Sequence, residues 1–191
     1  MRWMQHWTIG RDCLNSNFSL PFQLGCVLPD WFERHPIHRY SDNQDRFWDR
    51  VGKIRSMKSS AKREWYLGTI VHYICDYCTQ AHNEEYYQLY RHRVYEVKAQ
   101  KLFLKNHKEH KDTYIEYAKP HPIPHPTETI ADLKAYLETT VQQLHNDIDQ
   151  LNTPEWFTDE RVMNLDIEYA YKLSTGMISS LKVHEHNQKK L

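Results

Sequence analysis

This chain of 191 residues has few glycines, no long apolar run and no formal net charge. Only five glycines are present, and chains with so few helix-breaking residues are usually helical. No apolar run approaches the length that a transmembrane helix needs. The 25 basic residues are balanced by 25 acidic ones, so the chain lacks the basic excess that binding to a nucleic-acid backbone usually requires. We therefore expect no transmembrane segment and no stable nucleic-acid partner.

Several signatures of common hydrolases are also absent. The chain has no HExxH, no GxSxG, no glycine-rich phosphate loop and no adjacent His-Asp pair, which removes the main rival hydrolase classes. The N-terminal region shows no apolar core of a signal peptide. Because a chain without an export signal stays in a reducing compartment, we predict that the four cysteines are free thiols and that the protein is cytoplasmic.

Helical periodicity occurs along most of the chain, and no strand alternation interrupts it. Residues 60–81 are apolar nearly all round, which predicts a helix through the middle of the domain. Residues 16–40 contain many turn signals and are predicted to be a connection. The sequence predicts an all-α fold whose helices span residues 4–15, 41–57, 60–81, 84–105, 127–151 and 155–183.

Histidine is the compositional outlier, with 13 residues, and its spacing indicates the chemistry. The most apolar helix carries His72 and Asp76 four residues apart, so that both side chains share one face. A carboxylate inside such a helix is costly to bury unless it is paired or bound to a cation. The next predicted helix repeats the pattern with His92 and Glu96, and His82 stands between the two pairs.

Two His/carboxylate pairs linked by a further histidine can surround a polynuclear metal site. Imidazole and carboxylate ligands in this mixture suit zinc. A single pair of this kind is more often a solvated pair or a satisfied hydrogen bond, but two linked pairs favour metal binding. A structural site would be closed by four protein ligands, whereas a catalytic site leaves a position for water.

The stretch YLGTIVHYICDY at residues 66–77, followed by AHN at 81–83, resembles the core motif of the zinc-dependent phospholipase C family. That family shares an all-helical fold with the S1/P1-type nucleases, and the resemblance covers residues 1 to about 100. It implies that His72 and Asp76 serve a dinuclear metal pair, with Asp76 bridging. It also implies a separate zinc on His82, His92 and Glu96.

Three further ligands are implied by the resemblance alone. The segment from Leu24 to Asp30 resembles a family segment that ends in a metal-proximal aspartate, which makes Asp30 a metal ligand or the general base. His38 is favoured over His35 as the remaining ligand of the first zinc, and the sequence leaves this choice open. His6 corresponds to a histidine on a third zinc, so the resemblance implies two or three zinc ions.

The implied activity is zinc-dependent hydrolysis of a phosphoester, and a phospholipid is one candidate substrate. Two alternatives stay open: an S1/P1-like nuclease or 3′-nucleotidase on the same scaffold, and a non-catalytic helical module that holds metal only for its structure. We predict one domain over residues 1–191, and the sequence does not indicate its oligomeric state. Its expected parts are a metal-binding core at about 1–106, a proline-rich loop at about 107–126 and C-terminal helices at about 127–183.

Overall fold

The computed structural model describes residues 2–14, 19–32, 40–82, 88–119 and 129–188. Over these residues the protein has nine α-helices and no strand, which confirms the all-α prediction. Two short 3-10 turns occur at Gln80–His82 and Trp156–Thr158. The α-helices are α1 (Trp3–Cys13), α2 (Leu20–Val27), α3 (Pro29–Phe32), α4 (Tyr40–Ser56), α5 (Ala61–Tyr77), α6 (Leu89–Glu109), α7 (Lys111–Tyr117), α8 (Ile130–Gln150) and α9 (Glu160–Gln188).

The six predicted helices all occur with shifted ends, but two predicted non-helical segments are partly helical. The connection expected at 16–40 contains α2 and α3. Ser19 caps α2, because its hydroxyl accepts from the backbone N–H of Phe22 over 3.4 Å. Pro21 and Pro29 lie in the first turns of these helices, where a missing N–H costs nothing. Within the predicted loop at 107–126, α6 continues to Glu109 and α7 follows.

The core forms around α5. Every residue from Leu67 to Tyr77 is buried, and α2, α4 and α9 pack against this helix. The apolar sequence of α5 predicts such burial on all sides. All four cysteines are buried free thiols, as the sequence predicts. None of the described helices combines the length and the apolar character that crossing a lipid bilayer requires.

Two glycines allow α2 to pack closely on α5. A Cβ atom on Gly68 would overlap the carbonyl oxygen of Phe22, and one on Gly25 would overlap the carbonyl oxygen of Trp65. Any side chain at either position would therefore push the two backbones apart. This close approach brings the end of α2 beside the turn of α5 that carries His72.

The N-terminal end of α5 is held by polar contacts. The hydroxyl of Ser60 accepts from the backbone N–H of Arg63 over 3.2 Å and caps the helix. The buried guanidinium of Arg63 donates to the carbonyl oxygens of Ile54 (3.4 Å) and Leu181 (2.9 Å). These bonds join the first turn of α5 to α4 and to α9. They therefore fix the start of the central helix relative to both of these helices.

Candidate metal centre

Seven of the predicted ligand residues converge on the last two turns of α5. They come from three helices of the N-terminal half, from the 3-10 turn at Gln80–His82 and from the first two turns of α6. They form two groups, which we call the first cluster and the second cluster. The first cluster is His6, Asp30, His72 and Asp76, and the second cluster is His82, His92 and Glu96.

In the first cluster, one ligand-type atom from each residue lies within 4.8 Å of the others. Nε2 of His6 is 3.4 Å from Oδ1 of Asp76, and Nε2 of His72 is 3.4 Å from Oδ2 of the same carboxylate. Oδ1 of Asp30 lies 3.6 Å from Nε2 of His72. His6, His72 and Asp76 are fully buried, whereas Asp30 is exposed and forms the open side of this cluster.

In the second cluster, Oε1 of Glu96 lies between two imidazole rings. It is 3.8 Å from Nε2 of His82 and 3.7 Å from Nε2 of His92, and the two ring centroids are 4.9 Å apart. Nδ1 of His82 is also 3.7 Å from Oδ1 of Asp76. The carboxylate of Asp76 therefore contacts residues of both clusters.

The spacing of these atoms fits a bound zinc ion better than direct hydrogen bonds. The His-to-carboxylate separations are 3.4 to 3.8 Å, which is beyond the usual length of an N–H···O bond. Two ligands that sit about 2.0–2.1 Å from one tetrahedral zinc are separated by about 3.3–3.5 Å. Neither ring nitrogen of His82 has a hydrogen-bond partner among the described residues. The donor set of imidazoles and carboxylates is the one that zinc prefers.

The sequence model of the zinc-dependent phospholipase C family matches residues 5–174, nearly the whole chain. This chain belongs to the zinc-dependent phospholipase C family. The match extends beyond the first hundred residues, where the resemblance of the motifs ends, and it includes all of α8 and the first half of α9. Among curated proteins and among solved structures, no match to the chain is found.

Membership of the zinc-dependent phospholipase C family implies a zinc-dependent hydrolase and suggests a phosphoester or phospholipid substrate. The two clusters supply residues that can bind the metal which the family name requires. His38 and the alternative His35 lie outside the described residues. The choice between them therefore stays a prediction.

A backbone carbonyl orients His72 in this zinc-dependent phospholipase C fold. Nδ1 of His72 lies 3.1 Å from the carbonyl oxygen of Cys26, at the end of α2. Because a carbonyl oxygen can only accept, the hydrogen must be on Nδ1, so Nε2 is the nitrogen that would bind a metal ion. Such outer partners fix the tautomer of metal-binding histidines. The sequence gives no signal for this contact, because it depends on the packing of α2 on α5.

Burial and charge adjust the protonation of the ligand residues. Burial favours the neutral form of Asp76, but His82, His6 and His72 hold the pKa of its carboxyl well below the usual range. Burial lowers the pKa of His82 to about 4. Burial also disfavours the charged form of His6, yet the neighbouring Asp76 raises its pKa to about 10. Binding of a cation would then release the proton of His6.

One functional candidate, Asp166, is absent from the sequence-based prediction. Asp166, on α9, is buried and accepts hydrogen bonds from the backbone N–H of Gln80 and from the hydroxyl of Tyr95. One signal was available, because Asp166 follows the apolar Val162 by four residues and so falls on the buried face of an amphipathic helix. Its partners depend on tertiary packing and cannot be read from that pattern.

Proposed function

We propose that this protein is a phospholipase C-like phosphoesterase with a polynuclear zinc centre. The observation that carries the proposal is the position of Asp76, whose buried carboxylate is 3.4 to 3.7 Å from His6, His72 and His82. Three histidines from three separate segments around one carboxylate are suited to a carboxylate shared between metal ions. The proposed ligand residues are His6, Asp30, His38, His72, Asp76, His82, His92 and Glu96.

Zinc bound at this centre would lower the pKa of a water molecule and neutralise negative charge on the phosphoryl group. The protein's own residues provide the remaining functions. Asp30 is the exposed carboxylate of the first cluster, 3.6 Å from Nε2 of His72, and can act as a ligand or accept a proton from the attacking water. The rings of His6 and His72, whose centroids are 4.4 Å apart, are fully buried and form the inner side of the centre.

Exposed apolar side chains beside the ligand residues favour a phospholipid as substrate. Trp31 directly follows Asp30 and is 71% exposed. Leu89 is 56% exposed and precedes His92 by three residues, which places it on the neighbouring turn of the same helix face. Apolar parts of a lipid can cover such side chains. The balanced net charge gives no comparable support for a long polyanionic substrate.

The proposal can be tested with purified protein supplied with zinc. We expect hydrolysis of a choline phospholipid analogue, loss of this activity when a chelator removes the metal, and recovery when zinc is restored. Single-stranded DNA and 3′-nucleotides serve as competing substrates. Cleavage of these instead of the lipid analogue would favour the nuclease alternative. A protein that retains zinc but hydrolyses no phosphoester would favour the structural module.

A further inference from the structure

Asp166 lies on α9, outside the residues that we propose as metal ligands, and it is only 1% exposed. Burying an ionisable carboxyl costs free energy unless hydrogen bonds compensate for the lost water. Burial raises the pKa of Asp166 to about 7, and its hydrogen bonds to Tyr95 and Gln80 oppose that rise. The hydrogen-bond partners of this buried carboxyl therefore indicate what it does.

Both hydrogen bonds of Asp166 converge on one oxygen, Oδ2. The backbone N–H of Gln80 donates to it over 2.8 Å, and the hydroxyl of Tyr95 donates to it as well. Oδ1 has no hydrogen-bond partner among the described residues. The side chain therefore joins α9 to two segments that are distant in sequence, the Gln80–His82 turn and α6.

These two donors lie directly beside the ligands of the second cluster. Gln80 begins the 3-10 turn that ends at His82. Tyr95 precedes Glu96 and follows His92 by three residues on α6, and its ring packs 5.5 Å from the ring of Trp156. Among the described residues the turn and α6 are separate elements, so contacts between elements help to set the separation of His82 from Glu96. The Asp166 carboxylate is such a contact.

We propose that Asp166 is a positioning residue for the second cluster. By accepting from Gln80 and Tyr95 at the same oxygen, it holds the turn against α6, so that His82 and Glu96 converge on one metal ion. Asp166 is not one of the proposed ligands, and we assign it no direct part in the reaction. The inference rests on the proposed function, because it presupposes that the second cluster binds zinc.

Two variants and one control separate this role from a general contribution to folding. Tyr95→Phe removes a single hydroxyl and leaves the ring in place. Asp166→Asn keeps the size of the side chain but introduces an amide donor in place of one carboxylate oxygen. The control is Tyr169→Phe, because the hydroxyl of Tyr169 donates over 2.5 Å to Asp147 of α8, a helix without proposed ligands. All three variants thus weaken a Tyr–Asp contact of α9.

The measurements are zinc affinity by chelator competition and the visible absorption spectrum of the cobalt(II)-loaded protein. For Asp166→Asn and Tyr95→Phe we expect the affinity for one bound ion to fall by about tenfold, with a changed cobalt spectrum. Tyr169→Phe should keep the affinity and the spectrum of the wild type. Where Asp166→Asn does not fold, as judged by circular dichroism, Tyr95→Phe carries the test by itself.

A purely structural role predicts a different result. Both variants would then be less stable but, once folded, would bind every ion with wild-type affinity and show the wild-type cobalt spectrum. That result would overturn the positioning role and leave the proposed function standing. A wild-type protein that binds no zinc overturns the proposed function and the positioning role together.

Discussion

The first cluster draws its residues from three helices, whereas the second draws its residues from one helix and the turn before it. His6, His72 and Asp76 are fully buried, and the backbone contact between Gly25 of α2 and Gly68 of α5 lies one helical turn before His72. In the second cluster, His82 and His92 keep slight solvent exposure. The first cluster thus depends on the packing of the core, and the second on the attachment of one turn to α6.

This difference has a consequence for metal binding. A cluster formed by core packing is assembled whenever the helices are correctly packed, so its metal affinity should follow the stability of the whole domain. A cluster formed by a turn and one helix can lose affinity while the core stays intact. The carboxylate of Asp76 contacts residues of both clusters, so a change at Asp76 should affect metal binding at both.

The largest effect is expected for Asp76→Asn. The substitution removes the negative charge that lies 3.4 to 3.7 Å from histidines of both clusters. Loss of even an outer partner of a metal ligand costs about 10–100-fold, so we expect phosphoesterase activity to fall by at least about 100-fold and zinc content to fall at both clusters. Asp149→Asn, at an exposed position on α8, is the control. Normal zinc content and activity in the Asp76→Asn protein would show that the two clusters do not share this carboxylate as a metal ligand.

Glu96→Gln is expected to affect the second cluster alone. Glutamine keeps the shape of the side chain but removes the charge between His82 and His92. The protein should bind one zinc fewer per chain, lose about 10–100-fold in activity and keep the free energy of unfolding of its core. Metal analysis and urea unfolding check these outcomes, with Glu109→Gln at the exposed end of α6 as the control. Loss of all zinc would show that the two clusters are not separable.

Gly68→Ala is expected to affect the first cluster through the fold. The new Cβ would overlap the carbonyl oxygen of Phe22 and force α2 away from α5. We expect a loss of about 1–3 kcal/mol in the free energy of unfolding and a weakened first cluster. Gly52→Ala is the matched control, since among the described residues its Cβ would meet only Cδ1 of Ile130 at 3.7 Å, and there alanine should stabilise α4 by about 0.5–1 kcal/mol. Equal stability of the two variants would contradict the account of the α2–α5 contact.

The smallest effect is expected at Asp12, which joins the helix of His6 to the rest of the domain. Its Oδ2 lies 2.8 Å from Nε2 of His107 on α6 and accepts from the hydroxyl of Tyr171 on α9 over 2.7 Å. Burial alone would raise the pKa of Asp12, but His107 and Tyr171 lower it below the ordinary value of 3.8. We expect Asp12→Asn to cost about 1 kcal/mol at neutral pH.

The pH dependence of this effect follows from the direction of the pKa shift. A carboxyl whose pKa is lower in the folded state stabilises the fold above its unfolded pKa, and this contribution disappears as the pH falls through the folded pKa. The difference in unfolding free energy between wild type and Asp12→Asn should therefore shrink as the pH falls below about 4. A difference that grows on acidification would show that the shift has the opposite sign.

The sequence predicts the parts of the site that lie within single helices. The pairs His72/Asp76 and His92/Glu96 follow from the helical period, because residues four apart share a face whatever the tertiary fold. The approach of Asp30 to His72 depends on how α2 and α3 lie against α5. Periodicity cannot reveal that packing, so this residue and His6 came only from the family resemblance.

The prediction that residues 16–40 form a non-helical connection was wrong for a related reason. The turn signals of this segment include Pro21 and Pro29, yet these residues occupy the starts of α2 and α3, where proline fits a helix. Proline marks the boundary of a helix without saying on which side of it the helix lies. The hydrogen bonds of Asp166 could not be predicted either, since its two donors precede it by 86 and 71 residues.

The number of zinc ions per chain tests the central claim most directly. Metal analysis of the purified wild-type protein should give two or three ions, and the number should fall by one in Glu96→Gln and further in Asp76→Asn. This order follows because the carboxylate of Asp76 is shared by both clusters, whereas that of Glu96 belongs to the second cluster alone. Fewer than two zinc ions in the wild-type protein would contradict the polynuclear centre.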